Sequence, residues 1–240
     1  MSVYDPFFLI PAALALAAAL AVALRLIDVP GAAVGWLVGC FIYLGGGLPL
    51  LMLLGVFFVT GSAATAWNLR KKAAMGLAQA NRGRRSAINV LANGGVAAFL
   101  GVAAWLFPEL PLPFPAMMAA SLASAASDTL SSEMGNLYGS RYYHILGFGP
   151  GERGKDGVVS PEGTAFGVLG SLLVAGAFGL ASGWGATALW VGLAGLFGNF
   201  TDSILGGSLQ RQGYIDNHGV NFLSTLAAAG VMGGVAWAGG

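Results

Sequence analysis

Charge is what this chain has least of. Only 9% of its 240 residues are charged, against about a quarter in a soluble domain. Hydrophobic residues make up 56%, and the mean hydropathy is +0.75. That excludes an ordinary soluble domain and defines an integral membrane protein. Cysteine is nearly absent too: a lone Cys40 in an apolar segment excludes an intrachain disulfide and any cysteine-based zinc site. Two histidines, His144 and His218, argue against a multi-histidine site. The net charge of +1 names no partner, and nothing points to a nucleic-acid polymer. No stretch reads as a linker or a soluble domain, so residues 1–240 are expected to form one membrane domain.

A span needs roughly 17–25 mostly apolar residues. The N-terminus, MSVYDPFFLI, has no positive leading region and runs on into apolar residues, so it reads as a retained first span. Spans are expected at about 6–27, 30–47, 48–67, 87–107, 114–139, 162–182, 184–206 and 218–238. The expected fold is all-α, a polytopic bundle of seven or eight transmembrane helices. The GGGLP stretch between the second and third spans is either a tight turn or a helix break. In an eight-span arrangement all eleven Lys and Arg fall on one side: Arg25; Arg70, Lys71, Lys72, Arg82, Arg84 and Arg85; Arg141, Arg153 and Lys155; Arg211. Positive residues stay inside, so that side is expected to be cytoplasmic, at the inner membrane in a bacterium. Both termini would then lie outside.

Three polar clusters gather on that side. Loop 68–86, NLRKKAAMGLAQANRGRRS, reads as a topology anchor on anionic headgroups. After it, Asn89 and Asn93 share a helical face, serving either interhelical hydrogen bonds or, with Arg84 and Arg85, a phosphate. Loop 140–160, SRYYHILGFGPGERGKDGVVS, mixes glycines with Arg141, Arg153, Lys155 and Asp156, a composition that cradles anions. It lacks the GKS or GKT ending of a P-loop. SPEGT at 160–164 supplies a Ser N-cap, a Pro at the first helical position and an acidic first turn.

The third cluster surrounds Asp202, in GNFTDSILGG. It echoes SDTLSSEMG at 127–135, where Asp128 and Glu133 interrupt an apolar run. S-D-T-L and T-D-S-I share a hydroxyl–Asp–hydroxyl–aliphatic pattern, a chemical recurrence too short to prove a duplication. Carboxylates within a span cost several kcal/mol unless paired or solvated, so their default reading is functional. Asp128 and Glu133 lie about 140° apart around a helix and need not touch. A salt bridge from Glu133 to Arg141 or Arg153 accounts for that residue as well as a ligand role does. Two or three carboxylates near the water interface suit Mg²⁺, which takes few carboxylates, several waters and substrate phosphates.

Taken in order, NVLANGG, SDTLSSEMG, GKDGVVSPEGT and GNFTDSILGGSLQ, followed by GVNFLST, resemble the motifs of the transmembrane protein 19 family. That family includes the plant phytyl-phosphate kinase of the vitamin E pathway, and two of the elements are distantly similar to motifs of CTP-dependent phytol and dolichol kinases. The likeness covers residues 50–226, leaving 1–47 as variable N-terminal spans and 48–226 as the family core. It implies a polyprenyl-monophosphate kinase with CTP as donor. Asp128, Glu133 and Asp202 would then hold magnesium, and Lys155, Arg153 and Arg141 the triphosphate or the acceptor phosphate. Asn93 and Asn221 would be polar contacts beside them, with Arg84 and Arg85 as further phosphate groups. The prenyl tail is expected between spans five, seven and a neighbour.

Two other readings stay open at this stage. A cytidylyltransferase making a CDP-lipid would use the same residues. An ion-coupled transporter would place its carboxylates near the bilayer midplane, in cavities reached from both sides. Gly- and Ala-rich faces permit a homodimer.

Overall fold

The computed structural model describes residues 6–77 and 83–239; Arg82 lies outside them. Helix α1 runs Pro6–Ala23, α2 Val29–Ala66, the short α3 Leu69–Ala74, α4 Ala87–Leu106 and α5 Phe114–Tyr138. After a two-stranded hairpin come α6 (Pro161–Ser182), α7 (Ala186–Leu205, continuing into a π-helical turn Gly206–Gln210) and α8 (Asn217–Gly239). The hairpin pairs β1 (Tyr143–His144) with β2 (Val158–Val159), Tyr143 opposite Val159. Among the described residues five helices are long and apolar enough to cross a membrane: α2, α4, α6, α7 with its π turn, and α8.

The helix starts are written locally. Asp28 Oδ1 accepts from the Gly31 amide at 2.7 Å, with Pro30 in the first turn of α2. Ser86 and Asn89 form a capping box on α4, which satisfies two orphan amides at once. Ser160 Oγ accepts from the Gly163 amide at 3.0 Å and Pro161 opens α6, as SPEGT predicts.

Helix α2 is two crossings, and GGGLP is a full turn. At Gly47 the backbone takes φ 63°, ψ −164°, a region open essentially to glycine alone. The chain folds back there, so both ends of α2 meet Arg85. The Asp28 amide donates to the Arg85 carbonyl at 3.0 Å, while the Arg85 guanidinium lies 4.7 Å from the Phe57 ring and 5.6 Å from that of Phe58. Each arm of about 18 residues is close to 27 Å long, near the thickness of the hydrocarbon core. With this turn, all eight expected spans are present as helices.

Helix α5 occupies the centre. It is more polar than its neighbours, yet Met118, Leu122, Ala123 and Ala126 have no exposure at all, because α2, α4, α6, α7 and α8 surround it. Small residues permit that closeness. A side chain at Gly170 would strike the Ala126 backbone, and one at Gly198 would strike Ser124. One apolar core joins α2, α4, α5, α6, α7 and α8. Helix α1 packs on the first arm of α2, where the Trp36 indole donates to the Pro11 carbonyl at 2.9 Å.

Candidate functional site

Helices α5 and α7 run in the same direction with α6 antiparallel beside them. Asp128 lies about 21 Å along α5 and Asp202 about 24 Å along α7, so the two recurring tetrapeptides come level. Their carboxylates face each other within hydrogen-bonding reach. The flanking hydroxyls are turned away: Ser127 Oγ donates to the Gly167 carbonyl of α6 at 2.8 Å, Thr129 to Ala125 at 2.8 Å, and Ser203 to Asn199 at 3.3 Å. Asp202 is steadied from α8. Ser224 Oγ donates to its Oδ2 at 3.3 Å, and the Asn221 amide nitrogen, turned towards it, reaches the same oxygen at 3.0 Å. No Lys or Arg forms a salt bridge to either aspartate among the described residues.

Both aspartates open into one chamber of about 570 Å³ at the basic end of the bundle. Lys155, Arg84, Arg85, Asn93, Glu133 and Asn221 also line it. The loop between β1 and β2 forms its lid. The Ile145 amide donates to the Gly157 carbonyl at 2.9 Å, and Gly157 rests against Gly207 in the π turn. Single π turns of this kind recur at functional sites. Asn93 donates to the Asn89 carbonyl of its own helix at 2.9 Å. Rings and helix ends strip water from Arg85, which lowers its guanidinium to about 10 even though Glu133 pulls the other way; it stays cationic at neutral pH.

Three expectations are corrected. The salt bridge expected from Glu133 to Arg141 or Arg153 goes instead to Lys72, which its Oε2 meets in a buried ion pair, while its Oε1 is buried without a hydrogen-bond partner among the described residues. Lys72 is only 1% exposed and donates as well to the Ala64 and Thr65 carbonyls at 2.9 and 2.8 Å. All three of its protons are used, and it closes the C-terminus of α2 rather than anchoring a loop on headgroups. Among the described residues no three His, Cys, Asp or Glu converge as a metal group. Arg153 and Arg141 lie outside the chamber. Arg153 lies over the Tyr142 ring and donates to the Gly139 carbonyl at 2.9 Å, fixing the loop. Arg141 acts on Glu162, whose Oε1 holds the Ser140 amide and hydroxyl. The gap expected between α5 and α7 is closed by Gly195 against Ala123.

The structure adds residues that sequence reasoning passed over. Asn199, 7% exposed, lines the chamber one helical turn before Asp202; an Asn three residues before an intramembrane Asp is the signal that would have found it. Asp156 also lines the chamber and adds negative charge near Asp202. Nothing local marks Lys72.

A remaining pair of carboxylates fits magnesium, which is held through one or two carboxylates together with waters and phosphates. Asp128 and Asp202 bring two like charges together with only Ser224 and Asn221 as neutral donors, the arrangement that a divalent ion would relieve.

Known proteins carry the same sequence plan. An uncharacterized membrane protein of Methanocaldococcus jannaschii is 34% identical over 188 residues, 78% of this chain and 76% of its own length. Protein VTE6, chloroplastic, of Arabidopsis thaliana is 34% identical over 205 residues, 81% of this chain; the chain spans 60% of that protein's length. Protein PGR of Arabidopsis thaliana is 30% identical over 249 aligned positions, 83% of this chain and 85% of its own. No solved structure matches. The model for "Integral membrane protein DUF92" matches residues 12–229, from the first helix into the last and across every residue of the chamber, and so the chain belongs to the DUF92 family of integral membrane proteins.

Proposed function

We propose that this chain is a CTP-dependent kinase that converts an isoprenyl monophosphate, of phytyl or geranylgeranyl type, into the diphosphate at the cytoplasmic face of the membrane. The observation that carries this reading is the meeting of Asp128 and Asp202 in one chamber that Arg84, Arg85 and Lys155 also line. The motif resemblance to the transmembrane protein 19 family and the similarity to VTE6 support the substrate class. A transporter would divide its carboxylates between two accesses; here both aspartates face the same chamber.

In the reaction an oxygen of the acceptor phosphate attacks the γ-phosphorus of CTP. The bond to the β–γ bridging oxygen breaks and CDP leaves with the electron pair. The attacking oxygen is already anionic at neutral pH, so no general base is needed, in keeping with the scarcity of histidine. Catalysis of this kind rests on in-line positioning and on neutralising charge. Asp128 and Asp202 would hold a magnesium ion, which would supply charge neutralisation for the transferring phosphoryl group. Arg84 and Arg85 precede α4 and Lys155 stands on the lid loop, and all three line the chamber, so two phosphates would meet cations from two elements. Ser224 and Asn221 act as positioning residues by fixing the Asp202 carboxylate.

The test is product analysis with the purified protein in lipid vesicles, CTP labelled at the γ-phosphate, and phytyl or geranylgeranyl monophosphate. Label in the prenyl diphosphate, with CDP released, is the expected result. Pyrophosphate release with a CDP-lipid would instead identify a cytidylyltransferase. Absence of transfer across several prenyl acceptors and nucleotides would overturn the kinase.

A further inference from the structure

An apolar cleft of about 220 Å³ lies between α1, the two arms of α2 and α4. Leu14, Val38, Leu54 and Val90 are among its walls, and Arg85, Asn89 and Asn93 close one end. These three polar residues also line the carboxylate chamber. The two spaces therefore adjoin across Arg85, whose guanidinium is held against Phe57 and Phe58, two further residues of the cleft. A charged chamber on one side of an arginine and hydrocarbon walls on the other match a single ligand with a phosphate head and an apolar tail.

We infer that this cleft is the tail site of the phosphorylated acceptor, with Arg85 marking the junction of head and tail. The inference rests on the proposed kinase reading for the identity of the head, but the site is located by the geometry of the cleft. It replaces the α5–α7 gap, which close packing shuts. The tail enters sideways from the bilayer between α1 and the second arm of α2, and the head reaches the chamber without crossing the lid.

Two glycines keep room open in the part of the cleft near Arg85. Gly55 and Gly35 both line the cleft. A Cβ at Gly55 meets nothing within 4 Å, and one at Gly35 meets Ile27 at 3.8 Å and Val90 at 3.9 Å, ordinary contact distances. The first carbon of a leucine side chain is thus accommodated at either position, and leucine favours the helix over glycine. Losing room for even a methylene group changes discrimination by tens of fold.

The experiment has two arms. In the first, the full chain in phosphatidylcholine vesicles is irradiated with a prenyl monophosphate analogue carrying a diazirine in its tail, and the adducts are mapped by mass spectrometry. Adducts on α1, α2 and α4, competed away by unlabelled geranylgeranyl monophosphate, are expected. Adducts on α6 or α8, or labelling that the competitor does not reduce, would overturn the site; the second of these means bulk lipid occupies the cleft. This arm needs no turnover, so it stands even if the kinase assay fails. In the second, Gly55→Leu and Gly35→Leu should raise the KM for geranylgeranyl monophosphate about tenfold. An unchanged KM in both variants would overturn the cleft as the tail site.

Discussion

Asp128 and Glu133 stand five residues apart on the same buried helix, and they have been treated in opposite ways. Glu133 faces a lysine whose three protons are all engaged, in an ion pair that ties the end of α2 to α5. Asp128 faces another aspartate. In the first arrangement the charge is paired through Oε2, with Oε1 left buried without a hydrogen-bond partner among the described residues, and breaking the pair leaves a charge stranded. The second gathers like charge in a chamber and becomes favourable when a cation arrives. Burial of a carboxylate therefore does not by itself mark function; the sign of its nearest partner is what distinguishes these two residues.

The comparison can be broken by mutation, most forcefully at the aspartates. Asp128→Asn or Asp202→Asn should each lower phosphoryl transfer from labelled CTP by about 10²–10³-fold. The double variant should be little worse than either single one, since the two act as a unit. Thermal unfolding in metal-free buffer should hold steady or rise for these variants, because a like-charge neighbour is removed. Full activity in Asp128→Asn would end its assignment as a ligand.

Lys72→Met should do the reverse. It leaves Glu133 buried without its counter-ion, which costs about 3–5 kcal/mol, read as a lower unfolding temperature in detergent. Pairing Lys72→Met with Glu133→Leu should recover most of that loss, and a double variant as unstable as the single one would contradict a closed structural pair. Arg85→Lys keeps the charge but loses the planar fork. The KM for the acceptor should rise about tenfold, in line with one charge-assisted hydrogen bond, while unfolding barely moves. The smallest effect belongs to Arg153→Ala: under about threefold in transfer and ~1 kcal/mol in stability, since its bond is to the Gly139 carbonyl and not to the chamber.

The helical plan was legible because hydropathy and the one-sided distribution of basic residues are properties of segments, and each expected span appears within a few residues of its place. The Asp128–Asp202 pair was legible as a repeated tetrapeptide once the topology set both copies at one end. The partner of Glu133 was not. Lys72 lies 61 residues away in a run of cations that reads equally well as an exposed loop, and only the depth at which α3 tucks under α2 distinguishes it. The tail cleft was sought in the wrong place for a related reason. Small residues on α5 and α7 signal either a groove or a close contact, and here each glycine is matched to a neighbour that fills it.

Gly47 holds a larger consequence than a bend. Every loop after it faces the side it does because the chain reverses at that one residue. A straight helix of 38 residues would be about 57 Å long, nearly twice the hydrocarbon thickness, and would deliver α3 and all that follows to the opposite surface. The parity of the whole protein, and with it the compartment that supplies the chamber, thus hangs on a conformation that no side chain but hydrogen readily adopts.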